Sequence, residues 1–273
     1  MTSNPRQLRL LSLVRASGSC TLEQLSDALG VSVQTIRRDV KRLAEAGLLL
    51  RFHGGARLPG STIENIAYQQ RASLQADAKR RIGEAIAQRV PDHCSLLLNI
   101  GTSTEAVAQA LTRHTGLRVI TNNMNVAYIL SGQPGCEVIL AGGSVRARDH
   151  GIVGEAAAEF MRQFRVDIAV IGISGIEADG TLRDFDFQEV KVSQTIIAQA
   201  REVWLAADFT KFNRPAMIQV GRLEQIDRLF TDRPPPPPFP GLLNQARVDC
   251  IVANPPAADD TSAPTTDFQG SRA

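Results

Sequence analysis

The chain has 273 residues, is 43% hydrophobic and carries a formal net charge of +2. That length suits one small and one medium domain with a sizeable core. Its four scattered cysteines (Cys20, Cys94, Cys136, Cys250) form no CxxC pair, which argues against structural zinc and a disulfide framework. No signal-peptide pattern opens the chain and no apolar run has membrane length, so the expectation is a cytoplasmic protein with free thiols and no membrane or metal association. The charge is unevenly placed. Up to Gly60, nine basic residues stand against four acidic ones, a local net of +5, while the remainder nets −3. A basic small unit on a mildly acidic larger one implies that only the first meets a polyanion.

In chain order, Leu8, Leu11, Leu13 and Val14 predict a first helix over Arg6–Ala16, stopped by Gly18. Thr21 and Gln24 have the form of a capping box for a second helix, whose stripe is Leu22, Leu25, Ala28 and Leu29. Gly30 and Val31 make a turn, and Ser32 caps a third helix. There Val33, Ile36, Val40 and Leu43 face inward, leaving Gln34, Thr35, Arg37, Arg38 and Lys41 outward. A helix of this kind fits the major groove of B-DNA, where Arg pairs with guanine and Gln with adenine. Leu48–Leu58 reads as a hairpin with Gly54-Gly55 at its turn, carrying Arg51, His53 and Arg57 as a wing. The plain alternative is a solvated basic helix beside an ordinary hairpin. Agreement of helices, caps, basic face and hairpin in order and spacing favours DNA binding. The candidate contacts are Ser32, Gln34, Thr35, Arg37, Arg38, Lys41, Arg51 and His53.

Pro59–Thr62 reads as a linker, and Ile63–Val90 as mostly helical up to Pro91. Seven apolar runs follow: Ser95–Ile100, Arg118–Thr121, Glu137–Ala141, Asp167–Ile173, Glu202–Ala207, Arg228–Thr231 and Val248–Ala253. Helical stretches such as Thr104–Arg113, Gly154–Phe164 and Glu189–Ala200 separate several of them, which argues for an α/β domain with a largely parallel sheet. Ligands in such sheets bind at the C-terminal strand ends. Here those ends are small and polar: Asn99 with Gly101–Thr104, Thr121–Asn123, Ala141–Ser144, Gly172–Gly175, and Asp208–Lys211. Small residues admit a ligand to the backbone, and hydroxyls and free N–H groups at a helix start suit a phosphate. Lys211, Arg146 and Arg148 are candidate cations. Each motif alone is an ordinary tight turn or surface residue. Their number on one sheet edge favours an anion pocket. GxGxxG and Walker A motifs are absent, so nucleotide readings have no support. Pro234–Pro238 reads as a stiff connector, and the composition from about Asn254 onward as disorder.

The chain resembles the DeoR family of bacterial transcriptional repressors. The resemblance is carried by VSVQTIRRDVKRLAEAGLLLRFHGGA, then NIGTST, AGGSVR, DIAVIGISGIEADGTL, ADFTKF and FTD. The segments TNNMNVA, RARDHGIVGEA, QFRVDIAVIGISGIEADGTL and TDRPPPPP place it nearest members that govern glycerol 3-phosphate use. The resemblance implies a winged helix-turn-helix over 1–58, a linker and helix over 59–77, a sensor similar in fold to sugar-phosphate isomerases over 78–253, and a disordered tail over 254–273. It implies repression through operator DNA, relieved by a phosphorylated metabolite, with glycerol 3-phosphate the expected effector and no cofactor. It further implies a dimer or tetramer without enzymatic activity. Carried over by position, the phosphate loop is Gly101, Thr102, Ser103 and Thr104. Further effector candidates are Asn123, Gly143, Gly175, Glu189, Lys191 and Lys211. One departure stands out: Asn99 replaces the usual Asp, removing a candidate base or hydroxyl partner. Three alternatives remain open at this point. They are another phosphosugar effector, an active isomerase using Glu189, Asp186 or Asp208, and an architectural DNA-binding protein that answers no ligand.

Overall fold

The computed structural model describes residues 4–17, 19–46, 48–52, 54–57 and 67–253. Gly18, His53, the expected linker Pro59–Thr62 and the tail from residue 254 lie outside the described residues.

The N-terminal unit runs α1 (Pro5–Ser17), β1 (Ser19–Thr21), α2 (Leu22–Leu29), α3 (Val33–Glu45), β2 (Leu50–Phe52) and β3 (Gly55–Arg57). The Thr21–Gln24 box closes reciprocally: Gln24 N–H donates to Thr21 Oγ1 at 3.1 Å and Thr21 N–H to Gln24 Oε1 at 2.9 Å. Two helix-start donors are thereby satisfied. Gly30 in the left-handed conformation (φ 63°) ends α2, and Ser32 caps α3. Leu10, Val14, Leu25, Ile36, Val40, Leu43, Leu49 and Ala56 form the core. On α1 the inward leucines are Leu10 and Leu11, not Leu8, which is exposed. At 100° per residue, Leu8 lies about 160° round the helix from Leu10. Ala28 is likewise exposed. The sheet order is β1-β3-β2, antiparallel throughout. β1 is too short for period-two patterning to reveal.

The second unit opens with α4 (Tyr68–Ser73) and α5 (Ala76–Ala87). The expected single helical stretch is broken at Leu74-Gln75, with Gln75 at φ 56°. Then follow β4 (Ser95–Leu98), α6 (Thr102–Leu111), β5 (Leu117–Thr121), α7 (Met124–Ser131), β6 (Cys136–Leu140), β7 (Val145–Arg146), β8 (Gly151–Ile152) and α8 (Glu155–Arg162). The chain continues through β9 (Val166–Gly172), β10 (Gly175–Ile176), β11 (Thr181–Asp184), α9 (Phe187–Ala198), β12 (Ala200–Ala206), β13 (Ile218–Arg222), β14 (Arg228–Thr231), α10 (Phe239–Ala246) and β15 (Asp249–Val252). All seven apolar runs become strands of one sheet, ordered β15-β14-β12-β9-β4-β5-β6 and parallel at every pairing. Successive side chains serve opposite faces: Leu96 and Leu98 belong to the core layer that holds Ile82, Ile86 and Val107, whereas Leu97 belongs to the layer that holds Ala157, Val190 and Phe239. Both faces are covered, so these strands read as continuous apolar runs rather than alternations.

Chain order reverses between β4 and β9. From β4 the chain steps to β5 and β6, then returns to β9 on the other side and proceeds to β12, β14 and β15. That reversal opens a crevice at the C-terminal ends of β4 and β9, where ligands bind in such sheets. The antiparallel pair β7–β8 and the small sheet β10-β11-β13 stand beside the main sheet.

Candidate functional site

On α3, Gln34, Arg37, Arg38 and Lys41 are exposed and Thr35 is half-buried. Thr35 N–H donates to Ser32 Oγ at 3.4 Å, so the first turn is ordered by its own cap. Arg51 is exposed on β2. Periodicity alone did not single out Asp39, which is buried on the opposite side. Arg6 Nε donates to Asp39 Oδ2 at 2.6 Å and Gln7 Nε2 to Asp39 Oδ1 at 2.9 Å. Burial opposes this carboxylate, but the bonds from Arg6 and Gln7 prevail and hold it below its ordinary range. Arg6 is therefore an internal brace between α1 and α3. The exposed groups of α3 can meet phosphates and base edges, with Lys41 also 3.8 Å from Glu45 one turn on.

In the second unit, buried Asn99 fastens the two strands at the reversal. Its Nδ2 donates to Gly172 O and Ser193 Oγ, both at 3.3 Å, and its Oδ1 accepts from Gly172 N–H at 2.9 Å. A neutral amide can both donate and accept here; an ionised carboxylate only accepts. Gly101 follows with φ 153° and ψ 152°, a conformation that L side chains rarely adopt. It turns the chain straight into α6, whose first residues Thr102, Ser103 and Thr104 are buried. Thr104 Oγ1 lies 2.8 Å from Asn99 O and 2.7 Å from Gly101 O and fixes the loop. No side chain caps the start of α6 among the described residues, which leaves its first N–H groups for another acceptor.

Cations gather around this helix start. Burial lowers the pKa of Lys211 to about 7, with Asp208 opposing and Arg214, Lys79 and Arg71 adding to the fall. Lys79 is also buried and shifted downward, chiefly by burial. Its Nζ donates to Leu74 O at 2.7 Å and to Arg71 O. Burial disfavours the Asp208 charge, yet Lys211 and Lys79 hold its carboxyl below the usual range. Lys211 and Lys79 thus share the buried Asp208 as a counter-charge, an arrangement that a small anion would complete.

A polar wall faces them. A cavity of about 460 Å³ is lined by Tyr68, Arg71, Asp149, Asp184, Asp186 and Glu189, among others. Arg146 organises its acidic side, donating at 2.7 Å to each oxygen of Asp149, at 2.8 Å to Asp186 and at 2.7 Å to Glu189. Burial raises the Glu189 carboxyl to about 7, with Asp184 adding to it and Arg146 pulling back. Nearby, Tyr68 donates to Glu105 at 2.8 Å, and Asn125 Nδ2 reaches Tyr68 and Glu105, each at 2.9 Å.

Gly101–Thr104 follow β4 and Lys211 follows β12 at the strand ends beside the crevice, and Glu189 lines the cavity. Lys191 is exposed on α9, with its Nζ 3.0 Å from Glu155 Oε2 and 5.3 Å from the Phe187 ring centroid. It faces away because it sits two residues, about 200°, from Glu189 on the same helix. At Gly175 a Cβ would fall 2.0 Å from Arg214 O, so the missing side chain admits backbone packing rather than a ligand. Asn123 is the N-cap of α7 and also donates to Glu105 at 3.1 Å. Gly143 is exposed in the β6–β7 loop at φ 139°. Arg146 and Arg148 are engaged with carboxylates, so neither is an idle cation. Lys79 and Arg71 were missed. In the sequence they look like ordinary charged positions of surface helices.

Residues 6–62 match the DeoR-like helix-turn-helix domain, and residues 74–233 match the DeoR C terminal sensor domain. The glycerol-3-phosphate regulon repressor of Escherichia coli (strain K12) is 44% identical over 236 residues, which are 86% of this chain and 93% of that protein. The HTH-type transcriptional repressor CsqR of the same strain is 40% identical over 252 residues, 92% of this chain and 96% of its own. Among solved structures, ribose 5-phosphate isomerase from Plasmodium falciparum aligns with a TM-score of 0.37 at 10% identity, over 49% of this chain and 52% of that one. A groove-reading helix with its wing, joined to a parallel-sheet sensor and matched by both family domains, leads to one conclusion: the chain belongs to the DeoR family of helix-turn-helix transcriptional repressors.

Proposed function

We propose that this repressor controls genes of glycerol 3-phosphate metabolism and leaves its operator when glycerol 3-phosphate occupies the sensor crevice. The observation that carries the reading is the group of desolvated cations, Lys211 foremost, beside the start of α6 at the sheet's reversal. Such a group favours a phosphate, and the acidic wall around Glu189 and Asp149 can accept bonds from hydroxyls. The 44% identity to the glycerol-3-phosphate regulon repressor supports the choice among phosphorylated metabolites. The energetics required are modest: a coupling of about 1–3 kcal/mol between sites changes DNA affinity roughly 5–150-fold. The ligand must prefer the weakly binding conformation, because equal affinity shifts nothing. A cytoplasmic dimer or tetramer reading paired half-sites fits this role.

An isomerase reading would draw on Glu189, whose raised pKa suits a general base. Against it, Arg146 already occupies that carboxylate, and the Asn99 side chain fastens strands instead of supplying an acid. The proposed protein is thus no enzyme, and a turnover assay on a phosphosugar panel checks that. The decisive experiment measures operator binding upstream of a glycerol-utilisation gene, with and without glycerol 3-phosphate. Glycerol and inorganic phosphate serve as controls. Release by glycerol 3-phosphate alone is the expected result; specific binding indifferent to it would transfer the effector role to another phosphosugar.

A further inference from the structure

The guanidinium of Arg6 has two edges. Its Nε donates to the buried Asp39 carboxylate at 2.6 Å, whereas Nη1 and Nη2 make no hydrogen bond among the described residues, and the side chain is 34% exposed. Asp39 also accepts from Gln7 Nε2 at 2.9 Å, so both of its oxygens are spent on the first turn of α1. Asp39 lies at the margin of the inward face of α3. At 100° per residue, Thr35, Arg42 and Arg38 stand about 40°, 60° and 100° from it round one side of the helix. Arg38 and Arg42 are exposed, and the charge of Arg42 reaches the Asp39 carboxylate. The other side of Asp39 is core, formed by Ile36, Leu43 and Val40. The exposed edge of Arg6 therefore belongs to the basic side of the groove-reading helix, although α1 carries it. It also sits in the first turn of a 13-residue helix, whose dipole favours an anion there.

We infer that Arg6 is a further DNA ligand: its outer edge binds a backbone phosphate beside the groove that α3 reads, and Asp39 is the positioning residue that holds it there. A helix seated in the major groove has a phosphate backbone along each flank, so groups at its side meet phosphates while those at its crest meet bases. Arginine offers five donors in a planar fork. With Nε spent on Asp39, the two Nη groups remain for phosphate oxygens. A guanidinium already held by a buried carboxylate loses less freedom when DNA arrives. Such a contact adds affinity and register but no base preference, unlike those of Gln34 and Arg37. The inference stands on DNA binding by the N-terminal unit and is independent of the effector.

The test titrates the full-length chain against two labelled duplexes by fluorescence anisotropy over a series of salt concentrations. One duplex comes from upstream of a glycerol-utilisation gene and the other has an unrelated sequence. Arg6→Gln is expected to weaken binding to both by a similar factor and to reduce the slope of log affinity against log salt by about 0.9 for each DNA-bound unit. Arg6→Lys keeps the charge, so it should hold the parent slope with an affinity between the two. Cooperative melts establish folding. Arg6→Gln leaves the buried carboxylate without its cation, so if it unfolds the double variant Arg6→Gln with Asp39→Asn, whose two amides can bond each other, takes its place. A folded variant with parent-like slope and parent-like affinity for the unrelated duplex overturns the phosphate assignment and leaves Arg6 a brace alone. A loss confined to the glycerol-gene duplex with the slope unchanged overturns it too, because that is the mark of a displaced α3 and not of a lost phosphate contact.

Discussion

On α3, Arg37, Arg38 and Lys41 stand in water on one outward face, whereas Lys79 and Lys211 of the sensor unit are drawn into a crevice and lose part of their affinity for protons. The contrast follows from the size of what each region meets. Duplex DNA brings an extended array of phosphates and releases condensed counterions when lysines and arginines arrive, so hydrated cations suffice. A small anion has to exchange nearly all its water for protein. The groups that receive it do best when they are already desolvated and held in place by a buried counter-charge such as Asp208.

The largest expected effect lies on the exposed side. The double change Arg37→Ala with Arg38→Ala is expected to weaken operator binding by about 100-fold at fixed salt, at roughly 1–3 kcal/mol per bidentate contact. Unchanged binding in a fluorescence anisotropy titration would break the assignment of α3 to the groove. Next comes the buried side: Lys211→Ala or Thr102→Ala is expected to lower glycerol 3-phosphate affinity about tenfold, through loss of a charge-assisted bond or of a hydroxyl donor at the start of α6. Parent-like calorimetric affinity in both variants would place the anion elsewhere.

A smaller effect sharpens the comparison through pH. The pKa of Lys211 lies near 7, below its ordinary value, so the empty site carries the full positive charge only below that pH. Above it the anion must bring a proton with it, and affinity falls by up to about tenfold per pH unit. Below about pH 6 the phosphate itself loses a charge. Binding should therefore peak between these limits, and Lys211→Arg, which stays charged, should flatten the alkaline slope. A profile already flat from pH 7 to 8.5 in the unsubstituted chain would contradict the desolvated-cation picture. The smallest effect concerns the capping box. Thr21→Ala is expected to destabilise the N-terminal unit by about 1 kcal/mol, with sensor affinity for the effector unmoved. Paired thermal melts and calorimetry check it.

Local rules made much of this legible. The outward face of α3, the capping box and the seven strands all depend on short-range periodicity and on residues adjacent in sequence. The crevice depends on chain reversal, which brings Asn99, Gly172, Lys79 and Lys211 together from separate elements. No spacing encodes that meeting. Lys79 lies in a charged run of α5 that looks solvent-facing, yet its helix phase buries it. Asn123, an effector candidate by family pattern, is also the cap of α7, which only the positions of Asn125 and Val126 reveal. Lys191 came with the family pattern, and its place on α9 turns it toward Glu155.

The joint at Gln75 has one further consequence. α4 buries none of its residues fully and is set off from α5 by that left-handed turn, so hydrogen bonds rather than a packed apolar face hold it. Segments of this kind open at free energies well below that of global unfolding. The Arg71 amide, bonded to Ala67 O at 2.9 Å, and the Leu74 amide, bonded to Gln70 O at 2.9 Å, report that opening. In deuterium exchange they should trade their hydrogens long before the strands of the sheet do. An effector seated at the start of α6, where Lys79 and Thr102 hold the α4 carbonyls, would change their rate, so the timing of two amides would register the occupied state with no DNA in the tube.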